Sequence, residues 1–260
     1  MAGVFGAIVG SFLNVVILRL PLGQSLGGRS HCPHCGHILG AIDLVPLLSY
    51  LALRGRCRYC RGAVSARYFI IEAVTALLFA ATFLWVSPTA AAGWLLLIKF
   101  WLADSLFLAI FVIDLEHFLI LDKLLLFGAA AVFVLNIALD ISLHLQPWAW
   151  PGASLGGLFA AIAGACPFYL LWYFSAGRWM GFGDVKLALF LGLVLGWPGI
   201  VLALFLAFCL GGAVGSLLLL FTKKTMKSRL PFGTFLTAAA LLTMFYGDRL
   251  LAWYLALLGF

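Results

Sequence analysis

The sequence predicts an all-α polytopic membrane protein of about eight transmembrane helices, with a cytoplasmic zinc-ribbon-like loop between the first two. Three observations predict it. The 260 residues are 65% hydrophobic and only 10% charged, with a mean hydropathy of +1.16; an ordinary soluble domain is about 45–50% apolar and about 25% charged. The apolar residues fall in long runs interrupted by Pro, Gly and charge, and the basic residues gather in alternate loops. A water-soluble globular enzyme, a disordered chain and a nucleic-acid-binding module are excluded by this composition, even though the net charge is +7.

The first span is Gly3–Leu20, slightly short of the ~20 residues a bilayer crossing usually takes. It has no basic n-region and no small-residue cleavage site, so it reads as retained rather than as a removable signal. Further spans follow at Tyr68–Val86, Ala92–Ile113, Lys123–Leu139, Gly152–Ser175, Asp184–Gly196 and Ile200–Thr222, with a last one that starts at Phe232 and fades near Gly247. The sixth and eighth are the shortest. This gives three regions: a first helix (1–20), a loop (21–67) and a membrane core (68–260).

Charge placement checks the count. If the first loop is cytoplasmic, so are those after spans three, five and seven. These loops hold 13 of the 16 basic residues: Arg29, Arg54, Arg56, Arg58, Arg61, Arg67, Lys123, Arg178, Lys186, Lys223, Lys224, Lys227 and Arg229. The opposite loops, around Pro88–Ala91, Asp140–Pro151 and Trp197–Gly199, contain none. Such segregation is the positive-inside pattern.

The loop carries Cys32-Pro-His-Cys35, then 21 intervening residues, then Cys57-Arg-Tyr-Cys60. Two CxxC knuckles supply four thiolates, which suits a closed tetrahedral Zn²⁺ site with no open position, hence a structural ion. A redox-active or idle pair of motifs is the competing reading. A region of about 45 residues is too small to hold itself together by core burial, so a metal staple is physically sensible. His31, His34 and His37 crowd the first knuckle as neighbours of a shell already closed. Cys166 and Cys209 lie in apolar spans as packing residues.

Acids near hydrocarbon are costly, about 2.5–3.5 kcal/mol at a span centre. Asp114 lies where the third span meets the cytoplasm, and Asp184 where the sixth begins, so topology puts both on one face. A pair of carboxylates at one face can act as the acid and base of an aspartic peptidase. Asp184 also reads as a plain helix N-cap, as does Asp122. Asp104 reads as the internal partner of Lys99, and Glu72 as a partner of Arg67 or Arg19.

Five blocks, in order, resemble the bacterial type IV prepilin peptidases: GSFLNVVILRLP (Gly10–Pro21), the double-CxxC stretch Cys32–Glu72, IDLEHFLILD (Ile113–Asp122), GFGDVKL (Gly181–Leu187) and RLPFGTFL (Arg229–Leu236). The resemblance implies a GxGD-type aspartic peptidase of the bacterial inner membrane, working at its cytoplasmic face. It would remove the basic leader of type IV prepilins and pseudopilins after a Gly. It also implies N-methylation of the new N-terminal residue with S-adenosylmethionine, although no Gly-rich nucleotide loop marks where that donor would bind. By motif, Asp114 and Asp184 are the catalytic pair, Gly181 and Gly183 let backbone approach the substrate, Lys186 balances local charge, and Cys32, Cys35, Cys57 and Cys60 hold the metal. The sequence departs from the family at Leu121 and Thr234, where Pro is usual, and at Asp43-Leu44, where Glu-Asn is usual.

Helix polarity then assigns Asp184, at a helix N-terminus, as base toward water and Asp114, at a C-terminus, as acid toward the scissile carbonyl. The competing function is a zinc-gated transporter or channel whose intramembrane acids relay protons, and it rests on Asp104, Lys99 and Glu72.

Overall fold

The computed structural model describes residues 1–144, 152–221 and 230–257. The basic residues Lys223, Lys224, Lys227 and Arg229 and most of the loop before Pro151 lie outside the described residues. The chain divides into two units, Met1–Ser87 and Pro88–Phe260.

The first unit contains α1 (Ala2–Arg19), a 3₁₀ turn (Ala41–Leu44), the short α2 (Leu48–Ala52) and α3 (Ala66–Val86). The second expected span thus groups with the first and with the loop. Glycines on α1 explain why. A Cβ at Gly6 would stand 2.8 Å from the Thr75 carbonyl, and one at Gly10 2.8 Å from Glu72 Cα, so the two backbones nearly touch. In lipid, where apolar side chains gain nothing by leaving solvent, close packing through small residues is a main source of helix association. Ser65 caps α3 by accepting the Arg67 N–H at 3.3 Å.

The second unit contains α4 (Ala91–His117), α5 (Asp122–Ser142), α6 (Ala153–Ser175), α7 (Phe182–Leu195), α8 (Gly199–Phe221) and α9 (Phe232–Leu257). The helix α4 packs on α5 and α9, while α7 lies mainly along α6 and also meets α5, α8 and α9. A side chain at Gly192 of α7 would run into the Ala161 backbone of α6, so that seam too is closed by glycine.

Seven described helices, all but α2 and α7, are long and apolar enough to cross a bilayer. The 14 residues of α7 reach only about 21 Å, short of a hydrocarbon core of about 30 Å. It is apolar all round because protein surrounds it: Leu187, Ala188, Phe190 and Leu191 are fully buried. The last span is longer than expected, since α9 runs through Gly247 to Leu257. A lone helical glycine costs about 1 kcal/mol, and the Leu- and Ala-rich stretch after it carries the helix on.

The buried charges also find other partners than the sequence suggests. Lys99 faces the charge of Asp140, not of Asp104. Residues five apart are about 140° apart around a helix, so Lys99 and Asp104 do not share a face. The Asp140 carboxylate accepts the N–H groups of Ala153 (2.6 Å) and Ser154 (2.9 Å) and the Ser154 hydroxyl, capping α6. Glu72 accepts the Leu47 N–H at 2.8 Å rather than an arginine. Arg19 is used by backbone carbonyls, including that of Gly27 at 2.7 Å.

Candidate active site and candidate metal centre

Asp114 sits in the last turn of α4, only 5% exposed, where its carbonyl accepts the N–H of the left-handed cap residue Phe118. Its carboxylate lies against the first turn of α9. The Thr234 N–H donates to Oδ2 at 2.9 Å, and the Gly233 backbone adds a second hydrogen bond. Gly233 is where α9 can come this close: a Cβ there would be 2.8 Å from Asp114 Oδ2 and 3.1 Å from Ile120 Cδ1.

Asp184 is the third residue of α7 rather than its N-cap, which is Gly181. The carboxylate reaches back to the Gly181 backbone, half of a capping box. It is close enough to Asp114 for the two charges to repel. Ile120 spans the gap between the approaching elements, since a Cβ at Gly183 would be 3.1 Å from Ile120 Cβ. Residues 70 apart in sequence therefore approach each other, beside two glycines that allow the close packing.

Both carboxylates accept backbone N–H groups at a helix start, Asp114 from α9 and Asp184 within α7. The helix-end argument therefore no longer tells acid from base. Lys186 pairs with both oxygens of Asp122, at 2.7 and 2.8 Å, and not with the dyad. Asp122 is the first helical residue of α5, behind the N-cap Leu121.

In the first unit, the four thiols of Cys32, Cys35, Cys57 and Cys60 lie within 4.8 Å of one another. Each knuckle is built alike. The Cys32 N–H donates to the His37 carbonyl and that of Cys57 to the Gly62 carbonyl, at 2.9 and 2.8 Å. The residue after each second cysteine has positive φ, Gly36 at 70° and Arg61 at 58°. Tetrahedral thiolates with Zn–S bonds of ~2.3 Å stand about 3.8 Å apart, and Cys32 Sγ and Cys60 Sγ are 3.8 Å apart. Backbone N–H groups of Cys35 and His34 lower the Cys32 thiol's pKa, while burial and the neighbouring thiols raise that of Cys60, so the four sulfurs titrate as a cluster. The donor set and its convergence fit a four-coordinate metal.

The neighbouring histidines join the knuckles. His34 Nε2 lies 3.1 Å from the Ala63 carbonyl, and the His37 ring is 3.6 Å from that of Tyr59. Asp43 ties the middle segment to the second knuckle, accepting Arg58 Nε at 2.6 Å and the Tyr59 hydroxyl at 3.2 Å.

Residues 101–216 match the type IV leader peptidase family, and residues 4–86 match the bacterial peptidase A24 N-terminal domain. A relative from Burkholderia pseudomallei (strain 1026b), named prepilin leader peptidase/N-methyltransferase, is 35% identical over 94% of this chain and 84% of its own length. The chain belongs to the type IV leader peptidase family. Relatives of the same name from Aeromonas hydrophila and Pseudomonas putida are 34% and 32% identical, covering 96% and 100% of this chain and 91% and 94% of their own. No solved structure matches the chain.

In this type IV leader peptidase family member, the 4–86 match covers nearly all of the first structural unit, and the 101–216 match falls inside the second, short of α9. Sequence reasoning missed Gly233, Thr234 and Ile120 as neighbours of Asp114. The block RLPFGTFL signalled the first two, but no spacing rule says that a segment 120 residues away lands on that carboxylate.

Proposed function

We propose that this chain is an aspartic endopeptidase of the bacterial inner membrane that removes the leader of type IV prepilins and pseudopilins at the cytoplasmic face. It then N-methylates the residue exposed. The observation that carries the peptidase half is the Asp114–Asp184 pair: two largely buried carboxylates from different helices within range of each other's charge. One carboxylate takes a proton from water while its protonated partner donates to the scissile carbonyl, and the roles reverse as the amine leaves. The pair holds its proton jointly, so neither role belongs to one residue in isolation. Gly183 and Gly233 let α7 and α9 close against Ile120 and Asp114, which sets the positions of the two acids.

The methylating half is supported by the relatives' name, prepilin leader peptidase/N-methyltransferase. S-adenosylmethionine supplies an electrophilic methyl group when bound. Cys32, Cys35, Cys57 and Cys60 would hold a structural Zn²⁺ that fixes the two knuckles and contributes folding energy to a loop with little core. Two of the charges behind the transporter reading have structural partners instead: Lys99 faces Asp140, and Glu72 accepts the Leu47 N–H.

The test is leader cleavage by the purified protein in detergent, with a prepilin as substrate and labelled S-adenosylmethionine present. Wild type yields a shortened, labelled product, while Asp114→Asn and Asp184→Asn each yield none. Full cleavage by either variant rejects the dyad.

A further inference from the structure

Between the two knuckles, residues 41–52 wear their apolar side chains outward. Ile42 is 73% exposed, Leu48 66% and Leu51 59%, with Leu44 and Val45 exposed beside them. The polar and aromatic side chains of the same stretch turn the other way. Tyr50 is half-buried and stacks on Phe69 of α3, with 5.3 Å between ring centroids. Asp43 is the single charge in the stretch. Its side chain is only 6% exposed, held by the Arg58 guanidinium and the Tyr59 hydroxyl. A segment that faces water shows the opposite pattern.

The depth of this stretch is fixed as well. The Leu47 N–H donates to Glu72 at 2.8 Å, and the same carboxylate accepts the Ser11 hydroxyl of α1. At 1.5 Å of rise per residue, Glu72 lies about 9 Å in from the Ala66 end of α3, and Ser11 about 12 Å in from the Arg19 end of α1. Both helices are long and apolar enough to cross a bilayer. Each has an arginine at that end, Arg19 and Arg67, where a long cationic side chain meets the headgroups. The stretch is therefore fastened alongside the spanning helices, not above their ends. Leu44 and Val45 wall one groove with Ile8, Phe12 and Val15 of α1, which carries the apolar surface on to the exposed flank of a membrane helix. Directly after α2 come Arg54 and Arg56, both exposed. Arginine can lay its stem on apolar surface while its charged head stays at the polar edge.

An outward apolar face, an acid turned inward, a depth set by Glu72 and guanidinium groups at the edge suit one partner, a leaflet containing anionic phospholipid. An interfacial segment sinks its apolar face about 5–10 Å into the headgroup and acyl boundary, and basic side chains there gain from anionic headgroups. We propose that residues 41–52 lie in the nearer leaflet, with Ile42, Val45, Leu48 and Leu51 among acyl chains and Arg54 and Arg56 on anionic phosphates. The knuckles on either side of the stretch then rest on the membrane surface instead of standing free in the aqueous phase. This surface is separate from the Asp114–Asp184 pair, so its failure would leave the peptidase reading intact.

The test places the full-length protein in nanodiscs containing a phospholipid with a photoactivatable diazirine in its acyl chain, followed by peptide mapping. Wild type should be labelled within residues 41–52 as well as on α1 and α3. Leu48→Asp combined with Leu51→Asp should lower the label within 41–52 about fivefold or more and leave that on α1 and α3 unchanged, the sign that both helices still span. The charge is read by comparing a phosphatidylglycerol probe with a phosphatidylcholine probe of the same chain. The first should label 41–52 of wild type about threefold more, and Arg54→Gln combined with Arg56→Gln should bring the two to parity. Label on α1 and α3 with none in 41–52 overturns the proposal and gives the face to a protein partner. Equal labelling of 41–52 in wild type and the double leucine variant also overturns it. Equal labelling of wild type by the two probes overturns the choice of anionic lipid.

Discussion

If the proposed dyad is catalytic, Gly233→Ala should separate catalysis from folding in this protein. By helix propensity alone the substitution should help, by up to about 1 kcal/mol. The neighbourhood decides otherwise. The added methyl would sit 2.8 Å from Asp114 Oδ2, 3.1 Å from its Cγ and 3.1 Å from Ile120 Cδ1, where comfortable carbon contacts begin at about 3.5 Å. The carboxylate must retreat by roughly 0.5 Å or more, and catalytic groups must be held within about 0.5 Å of their productive positions. A displacement near 1 Å is worth about 10²-fold in rate, so kcat/KM for leader cleavage should fall about 10- to 100-fold. Thermal stability should change little, because Asp114 can turn without opening the core. The assay is the time course of shortened prepilin in detergent, alongside a melting curve. Gly212→Ala is the control, since nothing stands within 4 Å of a Cβ there and cleavage should be unchanged. Wild-type cleavage by Gly233→Ala, or an equal loss in Gly212→Ala, would refute the reasoning.

Lys186→Met should leave cleavage within a few-fold of wild type, because its ion pair with Asp122 is solvent-exposed and such pairs are worth about 0–1 kcal/mol; a hundredfold loss would return Lys186 to the catalytic machinery. At the knuckles, Gly36→Ala forces a side chain to φ 70° and should cost about 1–3 kcal/mol, read as faster zinc loss to a chelator. Arg61→Gly, at φ 58°, should slow it. The Arg58 guanidinium holds Asp43 below its ordinary 3.8, so this contact contributes fully above about pH 4 and is lost as pH falls through the lower folded value. The stability difference between wild type and Asp43→Asn should therefore be constant from pH 7 to about pH 5 and shrink below pH 4; a difference that grows on acidification would contradict the pairing.

Much of the fold was legible because lipid imposes strong rules. An apolar run long enough to span must be helical, and the boundaries of α4, α5, α6 and α8 came out within a few residues of the hydropathy and breaker signals. The exceptions have physical causes. Protein rather than lipid surrounds α7, so hydropathy could not tell a span from a short core helix. No Pro follows Gly247, so α9 continued. The interiors of the units were less legible, since Lys99 and Asp104 look paired along the chain but not around the helix. The glycine faces of α1 and α7 were visible as small residues, but which helix each would meet was not.

The sequence by itself determined the membrane class, the two thiol knuckles and which two aspartates merit attention, because composition, CxxC spacing and the cost of acids near hydrocarbon are local properties. Only the tertiary structure decided the rest. It brought Asp114 and Asp184 within range of each other's charge, laid the Gly233–Thr234 backbone on one of them, and sent Lys186 to Asp122. Those outcomes depend on how closely helix backbones approach, and glycine contacts between distant segments set that distance.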